Sequence, residues 1–263
     1  MADAPFRPPL GIGRLVTSTF GLLLRHAPLF LAISLIPSVG QAALQLFAYP
    51  TDFGDIAAGE PATLYLTRVF AVIGISLIIS LLTMGAITMA AYDVRLGNPV
   101  RVGRYLTRTL GAAPAIVVLG LLLYVAMGFG FLLLVLPGLY LMARYWVMAP
   151  AILVERAGFR GLGRAAELTQ GYRWPILGAG VLMFVVVILI SIGLAEALGV
   201  AAGPNAFGTT AMLSPGYTVV LLVQALTAAI QITLLSIFTA LLYARLREIK
   251  EGLGMEDLAA VFA

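Results

Sequence analysis

The sequence predicts an all-α fold, a polytopic membrane bundle of about six transmembrane helices with three amphipathic helices at the cytoplasmic interface. Hydrophobic residues occupy 61% of the 263 positions and charged residues 11%, against about 25% charged in an average soluble domain. The charges are grouped, which leaves uncharged windows at 27–48, 69–92, 109–143, 175–195 and 197–244. Because about 20 apolar helical residues cross a bilayer, these windows are typical of membrane spans.

The windows predict spans at about residues 28–47, 69–91, 111–129, 132–154, 175–198 and 216–243, in one integral membrane domain that covers 1–263. The apolar window that holds the third and fourth spans has arginine-rich flanks on both sides, so the chain turns once within it. We predict that turn near Gly128 to Gly130, with Pro137 and Gly138 as the alternative. Residues 199–215 are rich in turn-forming residues and predict a loop, and 245–263 predict a cytoplasmic tail.

Basic residues set the predicted orientation, because Lys and Arg in short loops favour the cytoplasmic side. One side of the predicted topology carries 14 of the 16 basic residues. These are Arg7, Arg14, Arg25, Arg95, Arg101, Arg104, Arg108, Arg156, Arg160, Arg164, Arg173, Arg245, Arg247 and Lys250. Both termini are therefore predicted in the cytoplasm of a bacterium, with the bundle in its inner membrane. The short, polar start of the chain is not typical of a removable signal peptide.

Three arginine-bearing segments share a pattern of Gly-Arg, Thr or Glu, Thr, and Gly at 13–21, 103–111 and 163–171, and Pro28, Pro114 and Pro175 follow them. The helical period places apolar and charged residues of each segment on opposite faces, as in a helix lying in the headgroup region. The pattern predicts three units, 10–92, 100–154 and 159–244, each an interfacial helix plus a two-span hairpin. The alternative is that these residue types are simply common where a chain re-enters a membrane.

Arg144 is the main candidate for a binding role, because an ionisable residue within a span is costly and often functional. Its predicted place in the fourth span is about 15 Å from the cytoplasmic end of that helix. Glu155 follows eleven residues later, close to three turns, and is predicted on the same face. Arg144 could bind a lipid phosphate or an anionic substrate, or cap carbonyls near Pro137 and Gly138. The other ligand-binding candidates are Tyr140, Arg14, Arg104 and Arg164.

Two polar stripes are predicted inside the spans. Ser76, Ser80 and Thr83 form one stripe on span two, and Gln224, Thr227 and Gln231 form another on span six. Such residues could line a pathway, or they could bond helices together for about 0.6 to 2 kcal/mol each.

The amino-acid composition excludes several kinds of catalytic and metal-binding site. Cysteine is absent and the chain has one histidine, His26, which excludes disulfides, thiol catalysis and a His or Cys metal cluster. We predict no catalytic residue, no metal site and no cofactor. Nucleic acid is not an expected partner, because no basic tract is interleaved with aromatic residues.

The stretch 136–155, Leu-Pro-Gly-Leu-Tyr-Leu-Met-Ala-Arg-Tyr-Trp-Val-Met-Ala-Pro-Ala-Ile-Leu-Val-Glu, and its continuation to Trp174 resemble a family of bacterial membrane proteins, the glycerophosphoryl diester phosphodiesterase membrane domain and its uncharacterised relatives. The opening 10–31 is similar to that family's amphipathic start. A serine common in the family is Ala165 here, which removes any role assigned to that hydroxyl. The resemblance implies a membrane module near lipid or envelope metabolism, without the separate soluble phosphodiesterase barrel.

Together these features predict a non-catalytic inner-membrane protein that handles, transports or scaffolds around an amphipathic or anionic, lipid-like solute. Membrane lipids with anionic headgroups on the cytoplasmic side are the expected partners, and a protein partner is a further one. The alternatives are an accessory subunit of a larger membrane complex and a membrane-embedded lipid-processing enzyme, which requires acids such as Asp93, Glu155 and Glu196 to meet.

Overall fold

A computed structural model of the protein describes residues 9–48, 62–133, 135–202 and 215–252, and these ranges are helical with no β-strand among them. The helices are α1 (Ile12–Arg25), α2 (Ala27–Ala48), α3 (Ala62–Arg95), α4 (Val102–Leu133), α5 (Val135–Tyr145), α6 (Met148–Val154), α7 (Gly161–Leu168), α8 (Arg173–Ala202) and α9 (Pro215–Glu251). A 3-10 turn, Gly158–Arg160, precedes α7. The all-α prediction is confirmed.

Among the described residues, six stretches are long and apolar enough to cross a membrane. They are Ala27–Gln45, Thr63–Arg95, Val102–Leu133, Val135–Val154, Arg173–Leu194 and Val219–Glu251. They follow the order of the six predicted spans, and the chain is a multi-pass membrane protein. Residues 49–61, between the first two spans, lie outside the described residues, as does most of the predicted loop at 199–215.

The arginine-rich end of the bundle comprises α1, the end of α3, the start of α4, residues 155–173 and the end of α9. Helix α1 begins after Gly11, whose φ of 73° is a left-handed conformation that favours glycine. Leu15 and Thr19 of α1 are buried while Arg14 and Ser18 are exposed, so the predicted amphipathic faces are those observed. Helix α1 packs on α9 and α8.

Helix α4 ends at Leu133 and α5 begins at Val135, so the third and fourth spans separate between the two predicted places. The glycines that predicted a turn instead let α4 and α5 approach each other closely. A Cβ on Gly130 would lie 3.0 Å from the Cα of Gly138, and a Cβ on Gly138 would lie 2.7 Å from the ring of Phe131. The prediction of a turn at Gly128 to Gly130 was therefore wrong, because small residues also serve close helix packing.

The second predicted interfacial helix is not a separate element. Residues 102–133 form one continuous helix with Pro114 inside it, whereas Pro28 and Pro175 lie in the first turns of α2 and α8. Pro114 therefore does not begin a new helix, because a membrane helix tolerates the loss of one backbone hydrogen bond. Likewise α9 continues through Glu251 and ends at Gly252, with φ 66°, so the start of the predicted tail is helical.

The three patterned segments share one detail of packing, which the threefold-repeat prediction did not include. Thr19, Thr109 and Thr169 occupy equivalent places in the pattern, and all three side chains are buried. In the first two segments Thr17 donates to the carbonyl of Gly13, and Thr107 donates to that of Gly103, both at 3.0 Å. This correspondence is compatible with three related units, and the repeat stays a prediction.

Candidate functional site

Four described acidic residues at the arginine-rich end form ion pairs with arginine that are also hydrogen bonds. Arg164 Nε donates to Glu155 Oε2 at 2.5 Å and its Nη2 donates to Glu251. The other bonds at 3.2 Å or less are Arg247 Nε to Glu251 at 2.6 Å, Arg95 Nη2 to Glu248 at 2.5 Å, Arg245 Nη1 to Glu248 at 3.2 Å, and Arg104 Nη2 to Asp93 at 2.5 Å. This network joins α3, α4, α7 and α9, so its first effect is structural.

Arg164 is the centre of that network. The hydrogen bond with Glu155, followed by those with Glu251, raises the pKa of Arg164 despite the opposing effect of burial. Glu155 also accepts a bond from the Tyr243 hydroxyl at 2.7 Å. Two of the predicted ligand-binding arginines therefore form ion pairs within the protein. Arg104 pairs with Asp93, and Arg164 pairs with Glu155 and Glu251. The third, Arg14, is exposed on α1.

The predicted alignment of Arg144 with Glu155 is wrong, because the helix between them breaks. Helix α5 ends at Tyr145 and α6 begins at Met148. Pro150 explains the break, since it has no N–H for the carbonyl of Trp146 and its ring crowds that carbonyl. The predicted depth of 15 Å assumed an unbroken helix and loses its basis.

Arg144 itself lies beside the segment that follows α7. Its carbonyl accepts a bond from Thr169 Oγ1 at 2.8 Å, and its guanidinium carbon is 5.4 Å from the ring centre of Tyr145. Its Nε is buried without a hydrogen-bond partner in the described part of the chain. The arginine is thus held by its backbone, and its side chain is not part of the acid network.

A groove of about 820 Å³ lies between α5 and the start of α8. It is lined by Leu136, Pro137, Leu139, Tyr140, Leu141, Ala143, Gly171, Arg173, Trp174 and Leu177. Arg173 donates to the Tyr140 hydroxyl, and its guanidinium carbon lies 4.9 Å from the centre of that ring. The groove therefore combines one guanidinium with apolar walls.

Sequence reasoning selected Tyr140 for this site but missed Arg173 and Trp174. Arg173 is half-buried and its Nε has no hydrogen-bond partner among the described residues. Trp174 has 77% of its surface exposed. The sequence feature that could have predicted them is an Arg-Trp pair at the first residues of a span, because both side chains favour the membrane interface.

The two predicted polar stripes meet only in part. Ser76, Ser80 and Gln224 line a common cleft between α2, α3 and α9. Thr83 instead bonds to its own helix at the carbonyl of Ile79, and Gln231 donates to Ser191 of α8 at 2.5 Å. Thr227 is half-buried on α9 and does not line the cleft.

The acids named for the lipid-enzyme alternative make different contacts. Asp93 and Glu155, which the lipid-enzyme alternative requires to meet, have different arginine partners, and Glu196 is exposed on α8. Within the described ranges no three His, Asp or Glu side chains come close enough to hold a metal ion.

Comparison with known proteins finds no relative: no protein-family model, no curated protein and no solved structure matches the chain. The resemblance to the phosphodiesterase membrane-domain family stays a prediction. In the structure, the residues that carry that resemblance, 136–174, form α5, α6, α7 and the first two residues of α8, both of which line the groove.

Proposed function

We propose that this chain is a non-catalytic inner-membrane protein that binds and handles an anionic amphiphile in the groove between α5 and α8. The anionic group lies at Arg173, and the apolar tail lies along Leu136, Pro137 and Leu177. The observation that carries the proposal is a largely apolar groove with an arginine that has no acidic partner among the described residues.

The chemistry of Arg173 supports an anionic group. Its hydrogen bond to Tyr140 uses Nη1 and leaves other N–H groups of the guanidinium to donate. Phosphate and carboxylate oxygens accept two parallel bonds from such a fork. A hydrogen bond to a charged group contributes about 1.5–3 kcal/mol, which corresponds to about 10- to 150-fold in affinity.

The apolar walls support a ligand with a hydrocarbon part. Leucine and proline side chains of α5 form one wall and Leu177 of α8 belongs to the other. Ligand pockets in this size range are mostly apolar with a few polar groups that fix orientation. An amphiphile satisfies both parts of the groove, whereas a small hydrophilic anion would leave the apolar walls uncovered.

The proposal includes the setting of the protein. The arginine-rich end faces the cytoplasm of a bacterium, because 14 of 16 basic residues lie on one side of the predicted topology. The mouth of the groove at Arg173 and Trp174 then lies at the cytoplasmic headgroup level, where anionic lipids are available. The family resemblance, with its implied link to lipid metabolism, agrees with this assignment.

Native mass spectrometry of protein released from nanodiscs tests the proposal. The nanodiscs contain phosphatidylglycerol and phosphatidylcholine with identical acyl chains, so the two lipids differ only in their headgroups, one anionic and one zwitterionic. We expect wild type to retain phosphatidylglycerol, and Arg173→Leu to lower that retention about tenfold or more, as loss of a charge-assisted bond implies.

Arg160→Leu is the matched control, because Arg160 is an exposed arginine at the same end that does not line the groove. Retention in this variant should equal that of wild type. Equal loss in both variants would show that general positive charge retains the lipid, and unchanged retention in Arg173→Leu would exclude the groove.

A further inference from the structure

A second cavity, of about 350 Å³, lies between α2, α3 and α9. Its polar walls are Gln45, Ser76, Ser80 and Gln224, and the rest of its lining is apolar side chains of α3. It shares no lining residue with the groove at Arg173. Both the residues and the place therefore differ from those of the amphiphile site.

A row of polar residues on α2 leads into this cleft. Ser34, Ser38, Gln41 and Gln45 are spaced by four, three and four residues, which places them on one helix face. Gln41 Nε2 donates to Ser80 Oγ at 3.2 Å, and Thr233 Oγ1 of α9 donates to Ser34 Oγ at 3.1 Å. The inner part of the row is thus satisfied by contacts between helices.

The polar side chains in and around the cleft itself differ from that inner part, because several of them lack hydrogen bonds. Gln45, Ser76 and Gln224 make no hydrogen bond within the described ranges. An amide or hydroxyl without a partner in hydrocarbon loses its hydrogen bonds to water, which is costly. Helix association alone does not explain these three side chains, because they point at a cavity rather than at each other.

The described residues that line the cleft carry no charge. An ion in this place would therefore lack a counter-charge from its walls, whereas side-chain amides and hydroxyls both donate and accept hydrogen bonds. Gln45 and Gln224 lie toward the end of the bundle opposite the arginine-rich end, near the last turn of α2 and in the third turn of α9.

We propose that this cleft is a water-filled site for a small uncharged molecule that bears amide or hydroxyl groups. Gln45 and Gln224 bind its polar groups from two sides, and Ser76 and Ser80 bind them from α3. The site is independent of the groove at Arg173, so either proposal can fail without the other.

The absence of cysteine from the chain allows a clean test by single-cysteine labelling with a water-soluble methanethiosulfonate. The thiolate is the reactive species, and it forms in water but not in lipid. We expect Ser76→Cys to react at least about tenfold faster than Ile75→Cys, because a rise of one unit in thiol pKa lowers the thiolate fraction tenfold.

Ile75 is the matched control because it is adjacent in the same helix, exposed on its surface and not part of the cleft. Ser80→Cys provides a second reporter on the same wall if Ser76→Cys does not fold. The reagent is applied to opened vesicles so that the result does not depend on orientation. Equal, slow labelling at all three positions would overturn the aqueous cleft.

Ligand chemistry is tested by protection, with acetamide and acetate as probes of similar shape and different charge. We expect acetamide to slow labelling of Ser76→Cys about twofold at half-occupancy of the site, and acetate at equal concentration to leave it unchanged. Slowing by both probes, or by neither, would overturn the assignment to an uncharged ligand.

Discussion

Arg164 and Glu155 form an ion pair with 2.5 Å between Nε and Oε2, and the same guanidinium reaches Glu251 at the end of α9. The pair links the end of α6 to α7. The second contact links α7 to α9, through a residue 87 positions later in the chain. Both carboxylates are mostly covered by protein. If the arginine were removed, water could therefore not replace all of its hydrogen bonds to them.

We expect Arg164→Gln to lower the free energy of unfolding by about 1–3 kcal/mol, because Glu155 loses its charged donor and Glu251 keeps only Arg247 as one. The measurement is unfolding in mixed micelles with increasing dodecyl sulfate, followed by circular dichroism.

Glu167→Gln provides the control for that prediction. Glu167 also faces Arg164, but at 3.8 Å and with 72% of its side chain exposed, so its removal should cost less than about 1 kcal/mol. Similar losses in the two variants would mean that the network contributes no more than surface charge does.

Gly180 is expected to be intolerant of any side chain. A Cβ there would lie 2.5 Å from the ring of Trp146, which is held by a hydrogen bond to Thr239 and an edge contact with Phe238. Overpacking costs about 1–3 kcal/mol, and we expect Gly180→Ala to destabilise the protein in the same unfolding assay.

Gly178→Ala is the control one half-turn away, where the nearest atom to a new Cβ is 3.9 Å away. It should be neutral or stabilise by up to about 1 kcal/mol, the helix propensity of alanine over glycine. A neutral Gly180→Ala would contradict the packing of α8 on Trp146.

Apolar length and charge grouping were sufficient to predict the main architecture. The six spans have their predicted order, and the faces of α1 agree with the helical period, because Leu15 and Thr19 lie inward and Arg14 outward. These features depend only on the hydrophobicity and charge of each segment of the chain, and membrane insertion depends on the same two quantities.

The candidate site was less predictable because it depends on one local break and on distant partners. Pro150 was visible in the sequence, but its consequence, the loss of a common face for Arg144 and Glu155, required a choice between a kink and a continued helix. The partner of Glu155 is Arg164, nine residues on in a separate helix. Helical spacing does not extend to such contacts.

The polar face of α2 was also missed, although Ser34, Ser38, Gln41 and Gln45 have regular helical spacing. Stripes on α3 and α9 were selected, and only the packing of α2 against both of those helices shows that three polar rows converge. The pairing of helices is a tertiary property, and no single stripe encodes it.

Arg144→Leu should leave phosphatidylglycerol retention within about twofold of wild type, a difference of about 0.4 kcal/mol. Arg144 does not line the groove, and its described polar contact is a backbone carbonyl that accepts from Thr169. The measurement is the nanodisc assay that tests Arg173→Leu. A loss as large as that in Arg173→Leu would place Arg144 at the headgroup and restore the sequence-based prediction.

The orientation of the bundle is tested by the same cysteine-free background. Ser18 of α1 and Thr63 of α3 are exposed residues at opposite ends of their bundle, and the positive-inside tendency predicts opposite sides for them. An impermeant maleimide added to intact cells should label Thr63→Cys and should label Ser18→Cys only after the membrane is opened.

Because α1 and the end of α9 are joined by the bond from Arg245 to the carbonyl of Pro9, Lys250→Cys should behave like Ser18→Cys. Labelling of Ser18→Cys in intact cells would reverse the orientation, and labelling of Lys250→Cys with Thr63→Cys would contradict an even number of crossings.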